Sequence, residues 1–378
     1  MQPVYLDYNA TTPVAPEVAT VIRPWLEKQF GNPSSSHVYG QRAKEAVERA
    51  RGEVAGLIGA RAEEIVFTGS ATEANNLALL GVTRALPDKR HLVISAVEHP
   101  AVMQPAMHLR AGGWEVTVVP VDGTGRVSPE DVGKALRQDT ALVSVMHANN
   151  EVGTLQPVAE IARLAKARGI LVHTDAAQSA GKVLLDVAAL GVDLLTLAGH
   201  KFYASKGIGA LYVRQGTPIT PVLFGAGQEG GLRPGTENVA FIVGLGAAAR
   251  LARERLPQAS EKLRQLRDRL HDLLKAAVPG LQLNGHPEHR LPNTLHVSFP
   301  SVSGRTLLER AATDVAASVG SACHAHDDQV SGVLAAMGLD SARARGAVRL
   351  SVGEPTTEQE VASAVEALAR GWKGLRKT

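Results

Sequence analysis

The chain has 378 residues, 44% of them hydrophobic, so it can bury a large core, and its length suits two domains or one with an appendage. The formal net charge of +3 carries little information about nucleic acid, which would need a concentrated basic stripe, and the Lys and Arg residues are spread through helical stretches, the pattern of a solvated face; no nucleic-acid partner is expected. No apolar run approaches the ~18 residues of a membrane span, and a single cysteine excludes an internal disulfide. That lone thiol suits a reducing compartment. The opening, Met1 to Asp7, lacks the basic and then apolar layout of a signal peptide. A cytoplasmic location is therefore expected.

In chain order, the first dozen residues read as extended, with Pro3 and Pro13 as bounds. Ala43, Ala46, Val47, Ala50, Val54, Leu57 and Ile58 then recur at helical spacing. Seven short apolar runs follow at 64–67, 91–95, 115–119, 141–145, 170–174, 193–197 and 208–213, with helical patterns between them. Strands that are apolar on both faces and separated by helices predict a doubly covered, mostly parallel sheet. Residues 245–277 form a long charged helical stretch, expected to break at Pro257. Beyond Pro279-Gly280 come shorter strands, 293–299 and 348–351. The fold class expected is α/β: a large domain over 13–257 with a mostly parallel seven-stranded sheet, and a smaller α+β domain made of 1–12 with 258–378. No internal repeat or low-complexity segment interrupts this scheme.

Such a sheet binds its ligand beyond the carboxyl ends of its strands, and chemically useful residues follow one strand after another. Lys201 stands just after the run 193–197, and Asp175 closes the run 170–174. An amine to form a Schiff base and a carboxylate to keep a pyridine nitrogen protonated are what pyridoxal 5'-phosphate requires. In Phe67-Thr68-Gly69-Ser70-Ala71-Thr72 a strand gives way to a helix start, whose unused N–H groups make a phosphate cup. Alone, the same residues read as an ordinary turn with Ser70 or Thr72 as N-cap. His99 follows the run 91–95, where an imidazole can stack on a ring and relay a proton; alone it is a loop histidine. Asn149-Asn150-Glu151 and Gln178 supply amides that donate to a phenolate or carboxylate, or simply form turns. Independent turns would seldom fall on one edge in this way.

Cys323 lies in Ser321-Ala322-Cys323-His324-Ala325-His326-Asp327, after small residues that predict a loop. A thiol beside histidines can have a lowered pKa and act as a nucleophile. A lone cysteine is also often a small buried hydrophobe. Cys323, His324, His326 and Asp327 are reminiscent of a metal cluster, but zinc sites use spaced ligand pairs and no second pair is apparent, so no metal is assigned.

The order Tyr5-Leu6-Asp7-Tyr8-Asn9-Ala10-Thr11-Thr12-Pro13, Gly31-Asn32-Pro33-Ser34-Ser35-Ser36-His37, the turn 69–76, His99, Asn149-Asn150-Glu151, Asp175 with Gln178, His200-Lys201, Arg233-Pro234-Gly235-Thr236-Glu237-Asn238 and Ser321-Ala322-Cys323 resembles the cysteine desulfurases of the class-V aminotransferase group, PLP fold type I. The likeness runs from residue 4 to about residue 365. It implies that Lys201 forms the Schiff base and moves the Cα proton, Asp175 pairs with the pyridinium nitrogen, Gln178 bonds the phenolic oxygen and His99 stacks on the ring. Ala71, Thr72 and His200 would hold the phosphate. Thr236 would reach the phosphate of a second subunit, which implies a homodimer. Asn150 and Arg349 would bind the substrate carboxylate. The implied reaction converts L-cysteine to L-alanine and leaves a persulfide on Cys323, for delivery to an acceptor such as an iron–sulfur scaffold protein. The stretch from His324 to Gly338 matches the branch whose long catalytic loop serves iron–sulfur assembly.

Two departures stand out. Ala198 occupies the place where many relatives carry a phosphate-binding serine, and the run after Cys323 looks closer to selenocysteine lyases, which act on L-selenocysteine. That lyase is the first alternative. A class-V transaminase has no use for the 320–323 segment, and a non-catalytic PLP-fold scaffold has none for an intact Lys201, Asp175, His99, Arg349 and Cys323.

Overall fold

Apolar residues alternate between two cores along each central strand, and that alternation sets the architecture. The computed structural model describes residues 2–320 and 331–376. Its strands are β1 (Val4–Tyr5), β2 (Ile65–Thr68), β3 (His91–Ser95), β4 (Glu115–Val119), β5 (Thr140–Ser144), β6 (Leu171–Asp175), β7 (Leu194–Ala198), β8 (Gly209–Val213), β9 (Gln282–Asn284), β10 (Thr294–Ser298), β11 (Val315–Ala316) and β12 (Ala347–Ser351). Seven of them form the large sheet in the order β2-β8-β7-β6-β5-β3-β4. β3 to β7 pair in parallel, and β8 runs antiparallel to both β7 and β2. Most of the expected strands lie within one residue of these. The run 64–67 starts a residue late because Ala62–Glu64 forms a 3-10 turn first.

Val93, Val143, Val172 and Leu195 face a core shared with the helices Val38–Leu57 and Val239–Ala277. Leu92, Ile94, Leu142 and Leu194 face the other core, under the helices Ala71–Ala85 and Pro100–Ala111. Both sheet faces are thus dry, and the ends of the strands are the places open to a ligand. The strand order reverses at β3, with β4 on one side and β5 on the other. That reversal opens a crevice at the carboxyl ends.

A three-stranded antiparallel sheet, β12-β10-β9, carries its own core of Leu295, Val297, Val348 and Leu350. The N-terminal segment joins it: β1 pairs in parallel with β11, and Leu6 is fully buried in the same cluster. Pro257 does not interrupt the long helix, which runs unbroken over Val239–Ala277. An interior proline costs about 3 kcal/mol. The helix nevertheless buries Leu245, Ala248 and Ala249 on the first core and Leu263, Leu266, Leu270 and Leu274 on the second. Each buried leucine contributes roughly 2 kcal/mol, so packing at the two ends outweighs the proline. Among the described residues, no helix is long and apolar enough to cross a membrane.

The sheet also buries histidines. His173 in β6 is fully covered, with Nδ1 at 2.8 Å from Ser144 Oγ and Nε2 at 3.1 Å from Thr196 Oγ1. Burial pushes its pKa down to about 4, against a small opposing pull from Asp175. His147 is held at about 4 by burial alone. An unfolded histidine titrates near 6.5, so on acidification the unfolded chain takes up protons first. Stability from these groups is complete above pH 6.5 and is lost as the pH falls towards 4. Each contributes on the order of 3 kcal/mol to that loss. The thermal midpoint should fall steadily across this range, and His173→Asn should show a shallower slope. Identical slopes for the variant and the wild type in scanning calorimetry would contradict the assignment.

Candidate active site

The helix Ala71–Ala85 begins immediately after β2. Ser70 is its extended N-cap, and Ser70 Oγ accepts from Glu73 N at 3.1 Å. Ala74 N donates to Ser70 O. The amides of Ala71 and Thr72 are therefore the first-turn donors that the helix itself does not use. β8 supports this turn from below. A Cβ on Gly209 would stand 2.7 Å from Ser70 C and 2.9 Å from Ala71 N, so only glycine lets the helix start sit so low.

Asp175 ends β6 and is 6% exposed. Its Oδ2 accepts from Asn75 Nδ2 at 2.7 Å and its Oδ1 from Ala177 N at 2.9 Å. The carboxylate is thus aimed by one helix and one turn. Lys201 lies in the 3-10 turn Gly199–Lys201 that follows β7. Its Nζ donates to Asn9 O at 2.5 Å and Ala10 O at 2.8 Å. Thr12 braces the same turn, with its N donating to His200 O and its Oγ1 accepting from Tyr203 N, both at 3.0 Å. Tyr203 takes the left-handed conformation, φ 69°, to leave that turn. For a tyrosine that is a strained backbone held by its surroundings.

His99 caps the helix Pro100–Ala111, and its Nδ1 accepts from Ala101 N at 3.1 Å. The ring proton is then on Nε2. Burial lowers the His99 pKa, Asp175 opposes that shift and Lys201 reinforces it, so the ring is neutral. His200 is also neutral, held at about 4 by burial and then by the Lys201 charge, with Nδ1 3.1 Å from Thr11 Oγ1. Gln178 Nε2 donates to Asn9 O at 3.0 Å, while Gln178 Oε1 is buried with no partner among the described residues.

Arg349 comes from β12 of the small sheet and is 2% exposed. Its Nη2 donates to Asp7 Oδ1 at 2.7 Å and its Nη1 to Asn150 O at 2.8 Å. Its Nε has no partner among the described residues. All of Ala71, Thr72, His99, Asn150, Asp175, Gln178, His200, Lys201 and Arg349 line one cavity of about 260 Å³ at the carboxyl edge. Ala198 lines it too and presents no hydroxyl. Thr236 does not join them; it is exposed on a separate segment. Cys323 lies outside the described residues, as do His324, His326 and Asp327.

Three contributors escape the sequence reasoning. Asn75 is fully buried and orients Asp175. A signal existed: Asn75 interrupts the apolar stripe of Ala71, Ala74, Ala78 and Val82 at helical spacing. Glu98 is buried beside His99; burial raises its pKa to about 8 against hydrogen bonds from Ser95 and Met146, with Asp175 adding to the rise, so it is protonated at neutral pH. Lys182 is 5% exposed and bonds the carbonyls of Gln178 at 2.9 Å and Lys201 at 3.5 Å. Neither of these two carries a local sequence signal.

The family model described as Aminotransferase class-V matches residues 4–363. Cysteine desulfurase IscS of Dictyoglomus turgidum is 44% identical over 375 residues, which is 99% of this chain and 95% of that protein. A solved structure described as a NifS-like protein has a TM-score of 0.92 at 38% identity, covering 98% of this chain and 99% of that one. A second, described as SspA in complex with cysteine, has a TM-score of 0.84 at 36% identity, covering 94% and 100%.

Removing the Asn75 amide would leave Asp175 Oδ2 buried and one donor short. A charge-assisted hydrogen bond of this kind is worth about 1.5–3 kcal/mol. Asn75→Ala should lower the unfolding free energy by that amount, read as a lower denaturant midpoint at unchanged slope. An unchanged midpoint would show that the bond does not orient Asp175.

Proposed function

Because the chain belongs to the class-V aminotransferase family, we propose that this cavity binds pyridoxal 5'-phosphate and removes sulfur from L-cysteine, giving L-alanine. The fold is PLP fold type I. The observation that carries the reading is the convergence of Asp175, Lys201 and Arg349 on one buried cavity beside an uncommitted helix start.

The residues fit the cofactor. The Ala71 and Thr72 amides, with His200, would hold its phosphate; a helix N-terminus suits that anion. Ala198 supplies no bond to it. Asp175 would hold a proton on the pyridine nitrogen, and His99, being neutral, would cap the ring. Gln178 Nε2 has one N–H committed to Asn9 O and a second left for the phenolic oxygen. Bound there, pyridoxal phosphate supplies the electron sink for the negative charge left when a Cα proton departs. Lys201 Nζ is the base that takes that proton. The substrate carboxylate is the natural partner for the unpaired Arg349 Nε, with the Asn150 amide beside it.

Sulfur transfer then falls to Cys323. Its thiolate attacks the substrate sulfur; a sulfur–sulfur bond forms, the substrate's carbon–sulfur bond breaks and the electron pair stays with the carbon skeleton. The product is alanine after protonation, and the persulfide on Cys323 passes to an acceptor protein such as an iron–sulfur scaffold. A homodimer would place Thr236 of each chain at the phosphate of the other. Its exposure here, with Phe224 85% and Phe30 79% exposed, agrees with that arrangement.

The test is alanine release by the purified protein from L-cysteine and from L-selenocysteine, for wild type and Cys323→Ala. Cysteine should be turned over, and Cys323→Ala should lose that activity by at least about two orders of magnitude. Preference for selenocysteine, retained by Cys323→Ala, would replace the desulfurase reading with the lyase. Separately, Lys201→Ala should lose both turnover and the visible absorbance of bound cofactor; alanine formation at the wild-type rate would overturn the role of Lys201.

A further inference from the structure

Glu151 is 4% exposed and follows Asn150 directly. Its backbone amide donates to Asn149 Oδ1 at 2.9 Å, and Val152 N shares that acceptor, so the turn is braced from within. Asn150 O, one residue earlier, receives the Arg349 guanidinium. The Glu151 side chain meets a different part of the chain. Ser331 Oγ donates to Glu151 Oε2 at 2.6 Å. Gly320 lies against the same oxygen: a Cβ there would stand 3.0 Å from Oε2. Gly320 is buried, and its bare Cα lets the carboxylate close in.

Gly320 and Ser331 are the described residues that border the segment holding Cys323. The approach to Gly320 is tied to the site as well. Arg349 N donates to Ser318 O at 2.7 Å, Ser318 N donates to Arg349 O at 3.4 Å, and Ser318 Oγ donates to Gly320 O at 3.0 Å. Both borders therefore trace back, in one or two bonds, to the Asn150–Arg349 pair.

We propose that Glu151 is a positioning residue: one carboxylate oxygen bonds Ser331 and packs against Gly320, the two borders of the Cys323 segment, and so sets how fast the Cys323 thiol takes sulfur from bound cysteine. The proposal rests on Cys323 being the sulfur acceptor, as above. A nucleophile must meet its target within a narrow range of distance and direction, and a displacement of about 1 Å can cost about 100-fold in rate. A bond to one border and close packing against the other limit that displacement.

The experiment compares purified holoenzymes: wild type, Glu151→Ala, Glu151→Gln, Ser331→Ala and Cys323→Ser. Three quantities are read. The first is sulfur label retained by the protein in a single turnover of labelled L-cysteine. The second is the alkylation rate of the thiol by iodoacetamide without substrate; Cys323 is the chain's one cysteine, so the signal has a single source. The third is half-saturation of the cofactor absorbance change on adding L-cysteine. Glu151→Ala should slow labelling by about tenfold or more and Ser331→Ala by about threefold, with half-saturation within about twofold of wild type. Alkylation should change at least about threefold in both. Glu151→Gln, which keeps an oxygen for Ser331, should recover part of each loss.

Labelling and alkylation at wild-type rates in Glu151→Ala overturn the proposal. If that variant does not fold, Ser331→Ala decides, and its indistinguishability from wild type overturns it equally. If wild type itself gains no label that Cys323→Ser lacks, the sulfur-acceptor reading fails and takes the rate claim with it, whereas the alkylation comparison still decides whether Glu151 anchors the segment.

Discussion

One buried cation holds the two sheets and the N-terminus to a common point. Arg349 belongs to β12, yet its partners are Asp7 and Asn150 O, from the N-terminal segment and from the turn after β5. A guanidinium that is 2% exposed must be paired, because an isolated buried charge costs several kcal/mol. Losing Asp7 would take away the counter-charge that Arg349 is paired with. The N-terminal segment thus has to cross the carboxyl edge of the large sheet. In crossing, it delivers the Asn9 and Ala10 carbonyls to Lys201 and the Thr12 hydroxyl to the next turn. Asn9 also reaches Thr294 and Asn293 of the small sheet's β10 region. The cavity is the space these constraints leave.

The charge balance around that space follows from burial. Lys182, Lys201 and Arg349 are all close; Lys182 is brought down to about 7 by burial, then by the charges of Lys201 and Arg349. Its bonds are to backbone carbonyls, which neutralise nothing. Against these stand Asp175, Asp7 and the buried Glu151 carboxylate. His99 and His200 are neutral, and Glu98 keeps its proton. Among the described residues the site keeps a donor without a partner on Arg349 and two uncommitted amides at the helix start. A phosphate and a carboxylate together answer those donors, and they are the pair of anions a cofactor–amino acid complex carries.

Much of this was legible in the chain because the strands are apolar on both faces and their carboxyl ends carry polar residues. Asp175 and Lys201 are visible as polar residues closing apolar runs. Asn75 is visible, with care, as an amide inside an apolar helical stripe. Other contacts have no local trace. Lys201 is held by carbonyls 191 and 192 positions away, and any residue type can offer a carbonyl. Lys182 looks like any surface lysine after a glycine until the fold buries it. The long helix illustrates the reverse error: Pro257 gives a strong local stop signal, and packing at two cores overrides it. In the sequence Glu151 reads only as part of a turn, because Gly320 and Ser331, which its side chain meets, lie far along the chain.

The lysine held by the N-terminal carbonyls is the one expected to take the cofactor. Sodium borohydride reduction of the holoprotein, followed by peptide mass mapping, tests it directly. One phosphopyridoxyl group per chain is expected, carried on Lys201. A label on Lys182 or another lysine, or no label on protein saturated with pyridoxal phosphate, would contradict it.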